Sequence, residues 1–438
     1  MREKSEASKR GDETGLKGIK TADLLISNAA EIVTCRDSDS GFEVIENGWL
    51  AVGGEHILAV GGKEQVLPFF EEEQTQVVDA TGKVVVPGFI DCHTHLVFGG
   101  SRVEEYAAKL TTDDLTELQK RGIKTGILAS VEATREATEK ELYASALDRL
   151  HRMAAAGTTT VESKSGYGLA LDAELKILAV NKMLQDSTPL DIVSTFLGAH
   201  GWPADQAKAD YIDLLIREMI PRVAAEDLAV YCDIWCDDGY YSAEESELIL
   251  KTALDHGLQP KIHTDAYSYL GGSDLAADMK MVSADHLNYT PLPALKKLVE
   301  ANVVGVLLPA LDFAVRHPQP FDYLAMKEQG LTVALATNLC PGCWTESLQF
   351  VMALACRLYQ MSPAEALLAA TSGAAKALNL EDDYGTLEAG KFADIQIWNV
   401  PSYEHVVYRL GGNVVEKVYK TGKLIVDNSI REVAFNGL

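Results

Sequence analysis

Two periodicities divide the chain. Near the N-terminus, short β-branched runs alternate in the strand manner: ADLLISNAAEIVT, GWLAVGGEHILAVGG and QVVDATGKVVVPG, broken by Gly and Asn. The far end repeats the pattern in GTLEAGKFADIQIWNV and NVVEKVYKTGKLIVDNS, with K-T-G-K as a turn. The two β-rich ends predict one small β-sandwich domain, residues 22–85 joined to 386–438. Between them the apolar spacing lengthens to three and four residues. The stretch TTDDLTELQKRGIKTGILASVEATREATEKELYASALDRLHRMAAAG, then LDAELKILAVNKMLQ and SAEESELILKTALDHG, predict helices. Short apolar runs separate them: TTTVESKSGYG as strand and loop, DIVSTFLGAHG as a strand ending in a loop, then LAVYCDIWC, QPKIHTDA, MVSADHLN, NVVGVLLPA and LTVALATN. Strands alternating with helices imply a parallel sheet, and about eight such units close into a barrel. The expected class is therefore α/β, a (β/α)8 TIM-like barrel over 86–385. The polar, charged opening MREKSEASKRGDETGLKG predicts a mobile tail over 1–21.

Composition narrows the partners. A chain of 438 residues exceeds what one core usually serves, which fits a large domain plus a smaller one. The formal net charge of −25 argues against nucleic acid and anionic membrane as partners. It leaves a small anionic substrate open, because one local Arg outweighs a distant field. Seven scattered cysteines form no disulfide framework of the secreted type. No leader-like segment and no bilayer-length apolar run is evident, so the expected location is cytoplasmic.

The polar residues cluster at one kind of place. Asp91, His93 and His95 follow VVVPGFI, His200 follows IVSTFLGA, His263 follows QPKI, His286 follows MVSA, and Asn338 follows LTVALAT. Each stands at the carboxyl end of a predicted parallel strand, the end that forms the active-site face of a barrel. Five of the ten histidines share that position. On a strand, positions i and i+2 point the same way, so His93 and His95 face inward together, as Asp91 does one step earlier. Paired imidazoles chelate a borderline-soft cation such as Zn²⁺ or Fe²⁺, and His263 adds a third nitrogen. Bound metal makes hydroxide available near neutral pH. The bland alternative for H-x-H alone is two hydrogen-bonded histidines at a strand end; the later strand-end histidines favour metal.

The segments PGFIDCHTHLVFGGSR, VESKSGYG, TFLGAH, KIHTDAYSYLGG, SADHLNYT and ATNLCPG, in that order, resemble the imidazolonepropionases of the amidohydrolase superfamily. PGFIDCHTH marks only the superfamily; SKSGYG with LGAH and ADHL is more specific. The resemblance implies a metal-dependent barrel with a β-sandwich from both chain ends. It also implies ring opening of 4-imidazolone-5-propanoate to N-formimidoylglutamate, one divalent Zn or Fe ion, and a homodimer. By position it assigns the metal to His93, His95 and His263, and substrate contact to Arg102, Tyr167 and His200. His286 falls beside the attacking water. A guanidinium suits the propanoate, and His200 and His286 suit carbonyl polarisation and proton transfer.

Two positions depart from the family. Asn338 stands where it has an Asp that binds metal, and Ala266 where it has Glu. An amide oxygen ligates but is a very poor base, so the base role falls to His286, Asp265 or Asp285. Alternation turns Asp265 away from His263, which favours His286. The same loop reads CPGC, with Cys340 where the family has Asn; two reduced, partly buried thiols are the bland reading, and a ligand or nucleophile the sharper one. Lys164 matches a family lysine for which carboxylation is a further reading. The departures keep two competitors open: a related cyclic-ureide hydrolase or deaminase, and a non-catalytic binding relative.

Overall fold

A computed structural model describes residues 21–36, 42–112 and 114–429. The tail expected over 1–21 lies outside them except for Thr21, as does the end of the C-terminal segment. The middle of the chain supplies eight parallel strands: β1 Phe89–Asp91, β2 Thr158–Lys164, β3 Asp191–Ala199, β4 Tyr231–Cys236, β5 Ile262–Thr264, β6 Ser283–His286, β7 Val304–Leu307 and β8 Val333–Leu335. Each pairs with the next in chain order, and a short strand at Gln259–Pro260 also pairs with β4. Helices cover the outside, so β2, β6 and β7 are buried at every position. The inner face of β2 is polar, because Glu162 and Lys164 are one pleat apart and both point into the barrel.

Helix boundaries follow local chemistry. The helix Glu139–Ala155 starts at Thr138, whose hydroxyl accepts from Glu141 N while the Glu141 carboxylate accepts from Thr138 N. The long helical stretch expected from residue 111 is in fact three helices, Leu115–Lys120, Ile127–Glu136 and Glu139–Ala155. Gly122 (φ 74°) and Gly126 (φ 75°) interrupt it.

Strands from the two chain ends form one mixed sheet. Its order is Lys423–Asp427, Val415–Lys420, Ile395–Trp398, Val84–Pro87, Leu24–Val33, Val44–Gly53, His56–Gly61, with Gln76–Asp79 also against Leu24–Val33. The K-T-G-K turn has positive φ at Thr421 and Gly422, the two-residue hairpin geometry that matches strand twist. Val84–Pro87 is the joint: it pairs with both ends of the chain and runs through Gly88 into β1. A Cβ on Gly88 would sit 2.3 Å from Thr159 Oγ1, so only glycine allows this approach.

The seam between β1 and β8 closes at the functional end. Thr337 Oγ1 donates to Asp91 (2.6 Å), Asn338 N to His93 O (3.0 Å) and His95 N to Leu339 O (2.8 Å). These bonds correct the alternation argument. Strand β1 ends at Asp91, so His93 and His95 lie beyond it in irregular backbone. Cross-seam hydrogen bonds, not a shared pleat, hold the pair. Asp91 faces Thr337 rather than the imidazoles, and burial pushes its carboxyl up to about 7 despite the two Thr337 donors.

Candidate metal centre and its cavity

Five imidazoles from β1, β3, β5 and β6 or the segments just beyond them converge at the barrel mouth. Ring centroids of His93, His95 and His263 are 5.7, 4.5 and 5.9 Å apart pairwise. His286 lies 5.2 Å from His263, and His200 stacks on His95 at 4.8 Å. The donor atoms fall into two overlapping trios, His93–His263–His286 and His95–His200–His263, each within 4.8 Å. His263 belongs to both.

Burial keeps four of the five rings neutral. Burial pulls the pKa of His93, His95 and His286 well below the ordinary value, and that of His200 down to about 3. His93 Nδ1 donates to Asp285 at 2.6 Å, which leaves Nε2 as the free donor. That atom is buried and has no protein partner, like His95 Nδ1, His263 Nε2 and Asn338 Oδ1. Buried polar atoms are almost always paired. Four orphans on imidazole and amide groups at one mouth fit a divalent cation with nitrogen and oxygen ligands.

A charged network that the sequence reading missed lies beneath the rings. Lys164 Nζ is 2.7 Å from Asp233, 3.0 Å from Glu162 and 3.4 Å from Asp285, all fully buried. Lys261 also pairs with Glu162 at 2.8 Å. Burial opposes the Lys164 charge, but the three carboxylates outweigh it and hold the pKa well above the ordinary value. With its ammonium held among these carboxylates, Lys164 acts as an internal counter-ion. Asp233, 3.0 Å from His263 Nδ1, is held well below the carboxylate range by His263 and Lys164 against its own desolvation. A signal was present in TTTVESK, where two opposite charges fall on one pleat of a buried strand.

The cavity above the rings measures about 480 Å³. Arg102, Tyr167, His200, His263, His286, Asn338 and Cys340 all line it, so the expected substrate residues share one space with the rings. Trp235 and Tyr240, stacked 3.5 Å apart, form an aromatic wall. Arg102 donates through Nε and Nη2 to Glu105 at 2.6 and 2.8 Å. Burial favours the neutral acid, yet Arg102, Lys109 and the Gly126 amide hold Glu105 at about 2. Of the three base candidates, only His286 lines the cavity. Asp285 is engaged by His93 and Ser283, and Asp265 by Thr264 and Thr290. Ala266 is buried and does not line the cavity. Cys340 and Cys343 form a tight turn with reciprocal backbone bonds of 3.0 and 3.2 Å. Both are free thiols whose pKa burial raises, which favours the bland reading.

The loop carrying Tyr167 is fixed from below by Glu174, in the first turn of the helix Leu171–Ser187. Its buried carboxylate accepts from Gly166 N, Gly168 N and Leu169 N at 2.9, 2.7 and 2.8 Å. A Cβ on Gly168 would meet Glu174 N at 2.6 Å, so this packing admits only glycine. Glu174→Ala strands three buried amides and is expected to cost about 3 kcal/mol. Urea denaturation checks this, as a lower midpoint at unchanged slope.

A model described as the amidohydrolase family matches residues 84–425. The chain is 41% identical to an imidazolonepropionase of Alkaliphilus oremlandii over 416 residues, covering 92% of this chain and 98% of that one. It is 43% identical to another from Symbiobacterium thermophilum over 420 residues, covering 93% and 98%. Among solved structures, an adenosine deaminase from Xanthomonas campestris with bound zinc superposes with a TM-score of 0.71 at 18% identity, covering 94% of this chain and 95% of that one. An atrazine chlorohydrolase from Arthrobacter aurescens complexed with zinc gives 0.63 at 17%, covering 94% and 97%. At such identities these two speak for the fold. Among the described residues, no helix is long and apolar enough to cross a membrane.

Proposed function

We propose a reaction from the premise that this chain belongs to the amidohydrolase family and, within it, to the imidazolonepropionases: hydrolytic opening of the ring of 4-imidazolone-5-propanoate to N-formimidoylglutamate. The observation that carries it is the set of partnerless buried nitrogens and amide oxygen beside a cavity lined by cationic side chains. His93, His95 and His263, with Asn338 Oδ1 as a neutral fourth donor, would hold one divalent zinc or iron ion. Such an ion supplies Lewis acidity and lowers the pKa of water near neutral pH.

The protein's own groups do the rest. The remaining edge of Arg102 receives the propanoate, and the Tyr167 hydroxyl adds a donor. His200, whose Nδ1 lies 3.2 Å from Gly166 O, turns its other nitrogen to the ring carbonyl. His286, kept neutral by burial, is in the form that accepts a proton. It takes one from the attacking water and returns it to the leaving ring nitrogen. The amide at Asn338 cannot perform that step, so the base role rests on His286. Family membership also supports a cytoplasmic homodimer acting on a small molecule.

The test is product analysis with metal-loaded protein. A product heavier by one water and identical to N-formimidoylglutamate is expected. Release of ammonia with the ring intact would point to a deaminase, and no turnover to a binding relative. His286→Asn is expected to lower kcat by about 10²–10⁴-fold at unchanged metal content, a split that elemental analysis and steady-state kinetics read together.

A further inference from the structure

We infer that Arg316 is a specificity-determining residue, a second guanidinium that captures the substrate's carboxylate at the cavity mouth. The inference rests on the carboxylate-bearing ring substrate proposed above. Four charged side chains line the cavity: Arg102, Glu105, Lys109 and Arg316. Glu105 takes the Nε/Nη2 edge of Arg102 and also pairs with Lys109 at 2.7 Å. Each of those cations therefore has an anionic partner, one carboxylate shared between the two. Arg316 has no ion pair or side-chain hydrogen bond among the described residues and stands exposed at the mouth. Among the described residues it is the one lining cation with no anionic partner, in a chain whose net charge is −25.

Its backbone points the same way. Arg316 ends the helix Pro309–Val315 in the left-handed region, φ 51° and ψ 56°. Glycine or asparagine takes that position at low cost, whereas a residue with a long side chain is strained there. Leu311, Ala314 and Val315 of the same helix end line the cavity, so the turn presents the guanidinium to the opening. A local strain with no local partner fits a role in binding. A guanidinium grips a carboxylate through parallel N–H donors. A charge at an exposed rim acts mainly on capture and on salt dependence.

Calorimetry with imidazole-4-propanoate and its primary amide, on the metal-loaded full chain, tests this. Arg316→Met is expected to weaken binding of the acid about fivefold and to flatten its salt dependence, leaving the amide unchanged. Arg316→Lys should recover part of the loss. Arg316→Gly should weaken acid binding as Met does while raising the Tm, because it relieves the left-handed strain. A merely structural arginine would not separate these two readouts. Acid binding within about twofold of wild type in Arg316→Met, or equal losses for acid and amide, overturns the inference while leaving the ring substrate standing. Failure of the wild-type protein to bind the acid overturns both.

Discussion

His263→Ala is expected to bind no stoichiometric metal and to lose ring-opening activity by roughly 10³-fold or more, the scale of a lost Lewis acid. His263 alone belongs to both donor trios. Its ring centroid lies 4.5, 5.9, 5.9 and 5.2 Å from those of His93, His95, His200 and His286. Alanine removes one of the three imidazoles proposed to hold the ion and leaves His93, His95 and the weak amide donor of Asn338, where a catalytic site keeps three strong protein ligands. The fold should survive, since Lys164 still neutralises Asp233. Elemental analysis beside circular dichroism reads both halves of the expectation. Retained metal at wild-type stoichiometry would move the centre away from His263.

Lys164→Met is expected to cost about 3–5 kcal/mol of stability, the price of leaving buried carboxylates without their cation. Lys261 still serves Glu162, but Asp233 and Asp285 lose the ammonium at 2.7 and 3.4 Å. The pH dependence has a definite sign. In the native protein Asp233 has a depressed pKa; it contributes stability above its unfolded pKa, and that contribution is lost as pH falls through the folded value. The variant lacks this contribution, so its deficit is largest near neutrality and shrinks on acidification, where a protonated Asp needs no cation. Asp285 also orients His93, so metal affinity should fall by about 10–100-fold. Urea titrations at neutral and acidic pH measure the first effect and competition with a chelating dye the second. Equal stability of variant and native protein at neutral pH would remove Lys164 from the framework.

The barrel was legible because its two periodicities differ. Alternating runs at both ends and longer spacing between them separate the mixed sheet from the β/α units, and Thr421–Gly422 announced a hairpin. The strand-end histidines were legible for the same reason: a strand's carboxyl end is a position that sequence can locate. What sequence could not supply was contact between distant segments. His93 and His95 are placed by bonds to Leu339 and Asn338 across the seam, so the pleat argument brought them together for the wrong reason. The Lys164 network joins β2, β4 and β6, and each member alone reads as a buried-strand anomaly. Glu174 and Arg316 look like ordinary helix residues until the loop or cavity each one faces is known.

The central claim is that imidazoles from separate strands hold one cation on which hydrolysis depends. The direct measurement is the rate of 4-imidazolone-5-propanoate hydrolysis as a function of bound metal per chain, from chelator-stripped to fully loaded protein. The account predicts a rate that rises in proportion to occupancy and saturates at about one ion per chain. Full activity in stripped protein, or saturation with no detectable metal, would contradict it.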